Sequence, residues 1–280
     1  MRILVITLFL LIVYQAILGL THAAPGFGRD NYETNSITSE NFRYLPKAPD
    51  VLIVGSSKNN FLDYDVLGHD IFHFGYGGQG ALTGLEILNK SHVLPKLILV
   101  EVGDTLQWPA DEHCIKVACD KWQVGDMFSA MQHRYQPCAQ ILSIHKSWVP
   151  RPVPGAASRA SLIDVQQKQL SMPVPERRRS EILNNCERAK QLMNSLKARG
   201  ARVVAFDPPV ESSVANSQYV SEVLTLVNQR FAPTDFERLS NPPGDWHTRD
   251  GTHFMPESGK LYSLWLRKQI DKLLGDSGSR

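Results

Sequence analysis

The stretch Val51-Leu52-Ile53-Val54-Gly55-Ser56-Ser57 decides the fold, because four consecutive apolar residues stop at a glycine that two serines follow. A short, continuous apolar run is typical of a strand that is buried on both faces of a parallel sheet. Similar runs lie at residues 71–74, 97–100 and 201–206. The sequence therefore predicts a sheet of four buried strands.

The segments between and after these strands have the apolar periodicity of helices. Segments 81–94, 178–197, 214–231 and 256–274 repeat apolar residues at intervals of three and four. Strands that alternate with helices predict a parallel sheet with crossover helices on both of its faces. We therefore expect one α/β domain over residues 49–275.

One segment interrupts this alternation. Residues 105–179 contain three of the four cysteines and show little clear periodicity. An irregular connection of this length inside a compact domain is usually functional or partly disordered. We expect an insertion that covers the functional site and forms one or two helices of its own between residues 125 and 145.

The N-terminal residues have the pattern of an export signal. Arg2 precedes an apolar run over residues 3–20, and the small residues Ala23 and Ala24 follow it. We expect residues 1–24 to be a signal peptide and residues 25–48 a surface linker. An uncleaved membrane anchor is the alternative, because the run is about as long as a bilayer is thick. Either reading predicts an exported chain, which is periplasmic or secreted after cleavage and membrane-anchored by its N-terminal segment without it.

Export permits disulfides, and the chain has four cysteines. Cys114, Cys119 and Cys138 lie in the expected insertion, where we expect at least one bridge. Cys186 repeats with apolar residues at helical spacing, which fits a core thiol as well as a bridge partner. No two cysteines have the two-residue gap of a zinc knuckle, so we expect no metal site.

Composition excludes one large class of partner. The 280 residues carry a formal net charge of +2, which gives no field for binding a polyanion. We therefore expect no nucleic acid as partner, and no motif for a cofactor is present.

Two short motifs carry reactive side chains. Ser57 follows the first predicted strand, where open parallel sheets bind ligands. Asp250 stands three residues before His253, so it can orient the imidazole that takes a proton from a serine. A helix-capping serine and an ordinary turn are the alternative interpretations. We expect Ser57, His253 and Asp250 to form a catalytic triad.

These motifs resemble the SGNH (GDSL-like) hydrolase and acyltransferase superfamily. That superfamily has Gly-Asp-Ser after the first strand, a glycine after the second, Gly-x-Asn after the third and Asp-x-x-His near the C-terminus. Ser57 matches the nucleophile, Ser56 the Asp beside it, and Gly78 the oxyanion glycine. The resemblance implies a flavodoxin-like three-layer α/β/α sandwich, the SGNH hydrolase fold, with an oxyanion hole formed at Ser57 and Gly78.

The motif after the third strand departs from the superfamily pattern. The residues after the third strand, 101–105, contain no Asn. Loss of a side-chain donor from an oxyanion hole costs about a hundredfold or more in rate. Asp104 as an anion cannot donate a hydrogen bond, so we expect a structural role for it, for example in holding loop backbone.

The resemblance implies a function as well. The Gly-Ser-Ser variant and the export signal look most like exported O-acetylation proteins of cell-surface polysaccharides and the D-alanyl transfer protein of teichoic acids. We therefore expect a serine esterase or O-acyltransferase that acts on an acyl, chiefly acetyl, ester of a cell-surface or secreted glycan. A membrane acyl-donor protein is a candidate partner. The alternative is a catalytically silent protein that binds a glycan or an assembly partner.

Overall fold

The computed structural model describes residues 2–68, 70–148, 153–232 and 234–275, with side chains up to residue 145 in the second range. Residues 149–152 of the expected insertion lie outside the described residues. The chain divides into two compact units. The N-terminal unit consists of residues 1–45 and 113–151, and the sheet unit of residues 46–112 and 152–280.

The structure has helices and strands at the following positions. The helices are α1 Arg2–Thr21, α2 Asn31–Arg43, α3 Tyr64–Leu67, α4 Ala81–Lys90, α5 Glu112–Cys119, α6 Val124–Met127, α7 Pro137–Trp148, α8 Ala156–Gln169, α9 Glu176–Ala198, α10 Ser212–Ala215, α11 Gln218–Arg230 and α12 Pro256–Gly275. The strands are β1 Val51–Ser56, β2 Ile71–Tyr76, β3 Leu97–Glu101, β4 Arg202–Phe206 and β5 Glu237–Arg238. Short 3-10 helices span Ser57–Phe61, Asp104–Gln107, Ser129–Met131 and His133–Tyr135.

The sheet is parallel throughout and has the strand order β2-β1-β3-β4-β5. The chain passes from β1 to β2 on one side and then to β3 on the other, so the strand order reverses between β1 and β3. In open α/β sheets, ligands bind beyond the carboxyl ends of the strands at such a switch point. The predicted α/β class and parallel sheet are confirmed, and β5 is a short edge strand that the sequence pattern did not predict.

Both faces of the sheet are covered by helices, as the continuous apolar runs predict. On one face, Ile53 and Leu99 pack with Leu266 and Ile270 of α12. On the other, α4 lies so close that a Cβ atom on Gly84 would be 2.6 Å from Val54. Helix α9 packs beside α4 and α11. The sheet unit is therefore a three-layer α/β/α sandwich.

The expected surface linker is wrong, because residues 31–43 form helix α2 of the N-terminal unit. Asp30 caps this helix by accepting a hydrogen bond from the Glu33 backbone N–H at 2.9 Å. Glu40 is buried and accepts hydrogen bonds from the backbone N–H groups of His133 and Arg134, at 2.8 and 2.9 Å. Because α2 buries polar side chains as well as apolar ones, its sequence lacks the apolar stripe that predicts a helix.

The expected single insertion over residues 105–179 is also wrong. Residues 113–151 belong to the N-terminal unit, whereas α8 and α9 belong to the sheet unit. An ion pair contributes to the packing of the N-terminal unit: Arg43 of α2 donates two hydrogen bonds to the carboxylate of Asp126 in α6. Two helices, α6 and α7, overlap the residues 125–145 in which we expected one or two helices. Its place over the functional site stays a prediction.

The disulfide expectation is wrong as well. Cys138 and Cys186 are free thiols. Cys114 and Cys119 are five residues apart on α5, which is about 7.5 Å along a helix axis and beyond the Cα separation of about 7 Å that a disulfide bridges. Cys186 is buried in α9, and burial raises the pKa of its thiol to about 12. It is the core thiol that its spacing indicated.

Helix α1 is, among the described residues, the one helix that is long and apolar enough to cross a membrane. It has 20 residues, a mean hydropathy of 2.7 and little buried surface. By length and composition it is compatible with a signal peptide or with an anchor.

His73 lies in β2 as a packed core histidine, which its apolar strand predicted. Its ring stacks on Tyr64 with the centroids 4.0 Å apart, and its buried Nδ1 atom has no hydrogen-bond partner within the described structure. Burial lowers the pKa of His73 from 6.5 to about 4. The unfolded chain therefore binds this proton at a higher pH than the folded chain does. The contribution of the neutral ring to stability is complete above pH 6.5 and is lost as the pH falls from 6.5 towards 4.

Replacing His73 by Phe keeps the stacked ring and removes the titration. We expect His73→Phe to unfold with a flatter pH dependence between about pH 6.5 and pH 4, by at most about 1.4 kcal/mol per pH unit. Denaturant unfolding across this range measures the effect, with the exposed His92→Phe as control. A pH slope equal to that of the parent chain would contradict a buried neutral ring.

Candidate active site

Ser57 lies at the end of β1 and contacts a histidine from the far end of the chain. It is the first residue after the strand and begins a 3-10 helix. Its Oγ atom lies 2.8 Å from Nε2 of His253. The two residues are thus within direct hydrogen-bond reach, although 196 positions separate them. The structure brings together the serine and histidine that the motifs predicted.

Asp250 completes the series on the other side of the imidazole. Its Oδ2 atom lies 2.7 Å from Nδ1 of His253, and its Oδ1 atom accepts hydrogen bonds from the backbone N–H groups of Thr252 and His253. Burial alone would raise the pKa of Asp250, but the hydrogen bonds from His253 lower it to about 2. An ionised Asp250 favours a proton on Nδ1, which leaves Nε2 to accept the hydroxyl proton of Ser57.

The loop that carries Asp250 and His253 is closed on itself. Thr248 and Phe254 form an antiparallel bridge across it, and the Arg249 backbone N–H donates to the His253 carbonyl at 2.7 Å. Gly251 at its tip has φ +99°, a left-handed conformation that other residues rarely adopt. A Cβ atom there would also lie 2.6 Å from a methyl group of Val214. Both the backbone angle and the lack of space require glycine between Asp250 and His253.

An ion pair anchors this triad loop to the rest of the sheet unit. The Glu211 carboxylate accepts hydrogen bonds from the Thr248 hydroxyl at 2.8 Å and from the Arg159 guanidinium at 2.8 and 2.9 Å. The Glu211 backbone N–H donates to the Gly251 carbonyl at 2.9 Å. Burial would raise the pKa of Glu211, but hydrogen bonds from Thr248 and Arg159 lower it. Sequence reasoning missed this residue, because neither periodicity nor motif spacing marks it.

The two adjacent serines have different environments. Ser56 is buried, and its Oγ atom donates to the Glu101 carboxylate at 3.0 Å. Its backbone N–H donates to the same carboxylate at 2.8 Å. Ser56 therefore holds the end of β1 against the end of β3, whereas Ser57 presents its hydroxyl to His253. The geometry agrees with the alignment that preferred Ser57.

Three carboxylates surround Lys58, the residue after the nucleophile candidate. Lys58 and Glu101 are buried, whereas Asp104 and Asp207 are partly exposed. The Lys58 ammonium lies 3.0 Å from Glu101, 3.2 Å from Asp104 and 2.7 Å from Asp207. Burial would lower the pKa of Lys58, but attraction to the three carboxylates raises it well above its usual value. Burial also raises the pKa of Asp207 to about 6, against the opposing effect of Lys58. Asp104 contacts this lysine rather than loop backbone, and the structural role expected for it stays a prediction.

Gly78 lies two residues beyond β2, in a turn where its φ is +69°. Ser56 and Tyr76 are partners in the parallel register of β1 and β2, so the backbone after both strands emerges at the same edge of the sheet. This places Gly78 near the strand end that carries Ser57. Its role as an oxyanion donor, together with that of the Ser57 N–H, stays a prediction.

Phe61 supports the imidazole from one side. Its ring centroid lies 4.6 Å from that of His253, and the Arg249 guanidinium lies over the same phenyl ring at 5.6 Å. The aromatic contact restricts the tilt of the His253 ring. Sequence reasoning did not single out Phe61, because it is far from His253 in the sequence and belongs to no motif.

Comparisons with protein-family models, with curated proteins and with solved structures give no match. Within the part of the chain that the structure describes, no three His, Cys, Asp or Glu side chains are arranged to hold a metal ion. The side chains of the site itself are therefore the basis for assigning a function.

Replacing Lys58 by Met would leave three carboxylates without their shared cation. We expect Lys58→Met to lower the free energy of unfolding by about 3 kcal/mol or more at neutral pH, because an uncompensated buried charge is costly. Lys58 holds the pKa of Asp207 down, so its removal raises that pKa above the parent value of about 6, and the loss should shrink as the pH falls towards 6 and protonation relieves the repulsion. Denaturant unfolding at two pH values measures both effects.

Lys190→Met is the matched control for this experiment. Lys190 pairs with Asp235 at 2.6 Å, but its side chain is 30% exposed, whereas that of Lys58 is 2% exposed and its partner Glu101 is fully buried. Exposed pairs contribute about 0 to 1 kcal/mol. Equal, small losses for the two variants would contradict the importance of the buried cluster.

Removing the charge of Glu211 should loosen the triad loop. We expect Glu211→Gln to lower the rate at which a fluorophosphonate labels Ser57 by about tenfold, equivalent to about 1.4 kcal/mol of transition-state stabilisation. Glu222→Gln is the matched control, because Glu222 pairs with Arg179 and not with this loop. If both variants labelled at the parent rate with an intact fold, Glu211 would not position the triad.

Proposed function

We propose that this chain is an exported, serine-dependent esterase or O-acyltransferase. One observation carries the proposal: Ser57, His253 and Asp250 are joined in series by contacts of 2.8 and 2.7 Å. A base within hydrogen-bond reach of a hydroxyl, itself oriented by a carboxylate, is the arrangement that makes a serine nucleophilic.

The proposed reaction has two steps. His253 takes the hydroxyl proton while the Ser57 oxygen attacks the ester carbonyl carbon, and backbone N–H groups at Ser57 and Gly78 hold the oxyanion. The tetrahedral intermediate collapses to an acyl-serine, and His253 gives its proton to the leaving alkoxide. In the second step His253 takes a proton from water or a sugar hydroxyl while that oxygen attacks the acyl carbon, and it returns the proton to the Ser57 Oγ atom as the acyl–serine bond breaks. Water gives hydrolysis, and a sugar gives acyl transfer.

The expected substrate is an acyl, chiefly acetyl, ester of a cell-surface or secreted glycan, with a membrane acyl-donor protein as candidate partner. The apolar helix α1 supports a location outside the cytoplasm. The proposal of a glycan ester as substrate rests on the resemblance of the sequence motifs to exported O-acetylation proteins.

A catalytically silent glycan-binding or assembly protein is the second candidate. The motif after β3 favours the silent protein, because residues 101–105 contain no Asn and the Asp104 carboxylate pairs with Lys58. A silent protein would have the same fold, but it would not turn over substrate because its oxyanion hole would lack a side-chain donor.

Covalent labelling with a fluorophosphonate and hydrolysis of p-nitrophenyl acetate test the proposal together. We expect Ser57→Ala to abolish labelling and to lower esterase activity by about a thousandfold or more. Ser56→Ala should keep most of both activities, because its hydroxyl contacts Glu101 and not His253. Undiminished labelling of Ser57→Ala would refute the assignment. A folded parent chain that binds glycan but neither labels nor turns over would establish the silent alternative.

A further inference from the structure

One buried carboxylate, that of Glu101, contacts residues on both sides of the candidate nucleophile. Glu101 is the last residue of β3 and is fully buried. Its carboxylate accepts hydrogen bonds from the Ser56 backbone N–H at 2.8 Å and from the Ser56 hydroxyl at 3.0 Å. It also lies 3.0 Å from the Lys58 ammonium and accepts a longer hydrogen bond, 3.4 Å, from the Asn59 amide. The residues that flank Ser57 are therefore held by one acceptor.

A glycine in β1 makes room for this carboxylate. A Cβ atom on Gly55 would overlap both the Glu101 carboxylate and the Asn59 amide. Gly55 lies within the strand, so the lack of space rather than an unusual backbone angle requires glycine there. Glu101 consequently lies directly against the backbone that leads into Ser57.

The same carboxylate is linked to the turn that contains Gly78. The Thr105 hydroxyl donates a hydrogen bond to Glu101 at 2.9 Å. The Thr105 carbonyl oxygen lies so close to Gly80 that a Cβ atom there would overlap it. Gly80 is two residues after Gly78, in the segment that follows β2. Through Thr105, Glu101 thus connects the segment of Ser57 with the turn of Gly78.

These two segments supply the backbone N–H groups of the proposed oxyanion hole. Ser57 begins a 3-10 helix, and the first N–H groups of a helix have no acceptor within that helix. Because residues 101–105 contain no Asn, the rate would depend on the placement of the two backbone donors. A displacement of about 1 Å at a reacting centre costs about a hundredfold in rate.

We propose that Glu101 is a positioning residue, which holds the Ser57 and Gly78 N–H groups at the spacing that the oxyanion requires. The inference rests on the proposed function. Glu101 is fully buried and acts through Ser56, Lys58 and Thr105 rather than on the ester. Its hydrogen bonds and its charge have opposite effects on the rate. The hydrogen bonds hold the donors in place, whereas a negative charge near an oxyanion raises the energy of the transition state.

Replacing Glu101 by Gln separates the two effects. Loss of the charge alone would make the reaction faster. Loss of positioning makes it slower, because the amide NH2 group cannot accept the hydrogen bonds that one carboxylate oxygen accepts. We expect Glu101→Gln to lower the rate constant of fluorophosphonate labelling by about tenfold to a hundredfold. Lys58 keeps Asp104 and Asp207 as counter-ions in this variant, so its charge stays paired.

The rate constant distinguishes positioning from a loss of stability. The amplitude of labelling counts the folded, active molecules, whereas the rate constant belongs to each active serine and does not change when fewer molecules are folded. Phenylboronic acid gives a second readout, because it forms a tetrahedral adduct with a serine hydroxyl that resembles the transition state. We expect its dissociation constant, measured by competition with labelling, to rise by the same factor as the rate constant falls.

Glu40→Gln is the matched control. Glu40 is also a buried glutamate, and it accepts hydrogen bonds from two backbone N–H groups, but these belong to His133 and Arg134 of the N-terminal unit. We expect Glu40→Gln to lower the free energy of unfolding while the rate constant of labelling and the dissociation constant of the boronic acid keep their parent values.

Thr105→Val tests the same connection if Glu101→Gln does not fold. It removes one hydrogen bond to Glu101 and keeps a branched side chain, so we expect labelling to slow by about threefold. A rate constant at or above the parent value, in folded Glu101→Gln or otherwise in Thr105→Val, would overturn the positioning role and leave the triad intact. A folded parent chain that does not label at Ser57 would overturn the proposed function, and this inference with it.

Discussion

One buried cation, Lys58, connects the carboxyl ends of three strands. It is the second residue after β1, and it contacts carboxylates at the end of β3, shortly after β3 and directly after β4. A parallel sheet brings these ends to one edge, where Glu101, Asp104 and Asp207 would otherwise repel one another in a medium of low dielectric constant. Because Ser57 is the residue immediately before this lysine, the ion cluster that holds the sheet edge also fixes the position of the serine.

The histidine side of the site depends on a second, separate ion pair. Glu211 and Arg159 hold the triad loop, while the left-handed Gly251 allows its tight turn. The Ser57–His253 contact therefore joins two independently anchored segments of the sheet unit. Neither anchor touches the reacting atoms. Each nevertheless determines whether the hydroxyl and the imidazole meet at hydrogen-bond distance, to which proton transfer is sensitive.

The sequence predicted those features that repeat or that have a fixed spacing. Continuous apolar runs located β1 to β4, because a strand buried on both faces has no polar alternation, and the Asp-x-x-His spacing located the triad loop. The sequence did not predict helix α2, because this helix buries Glu40 and other polar side chains. The hydrogen bonds that satisfy Glu40 come from residues distant in the sequence. The sequence did not predict the partners of Lys58 for a related reason. Glu101 ends β3 and Asp207 follows β4, so the order of the strands, and no local sequence pattern, brings the two carboxylates close to the lysine.

The charge of the cluster bears directly on the proposed chemistry. Lys58 supplies one positive charge against three carboxylates, so with all of them ionised the strand ends carry excess negative charge close to Ser57. An oxyanion forming at the ester carbonyl would be repelled by that excess, and Lys58 is the cation that offsets part of it. The same lysine thus has a structural role in joining the strands and, in the proposed reaction, an electrostatic one.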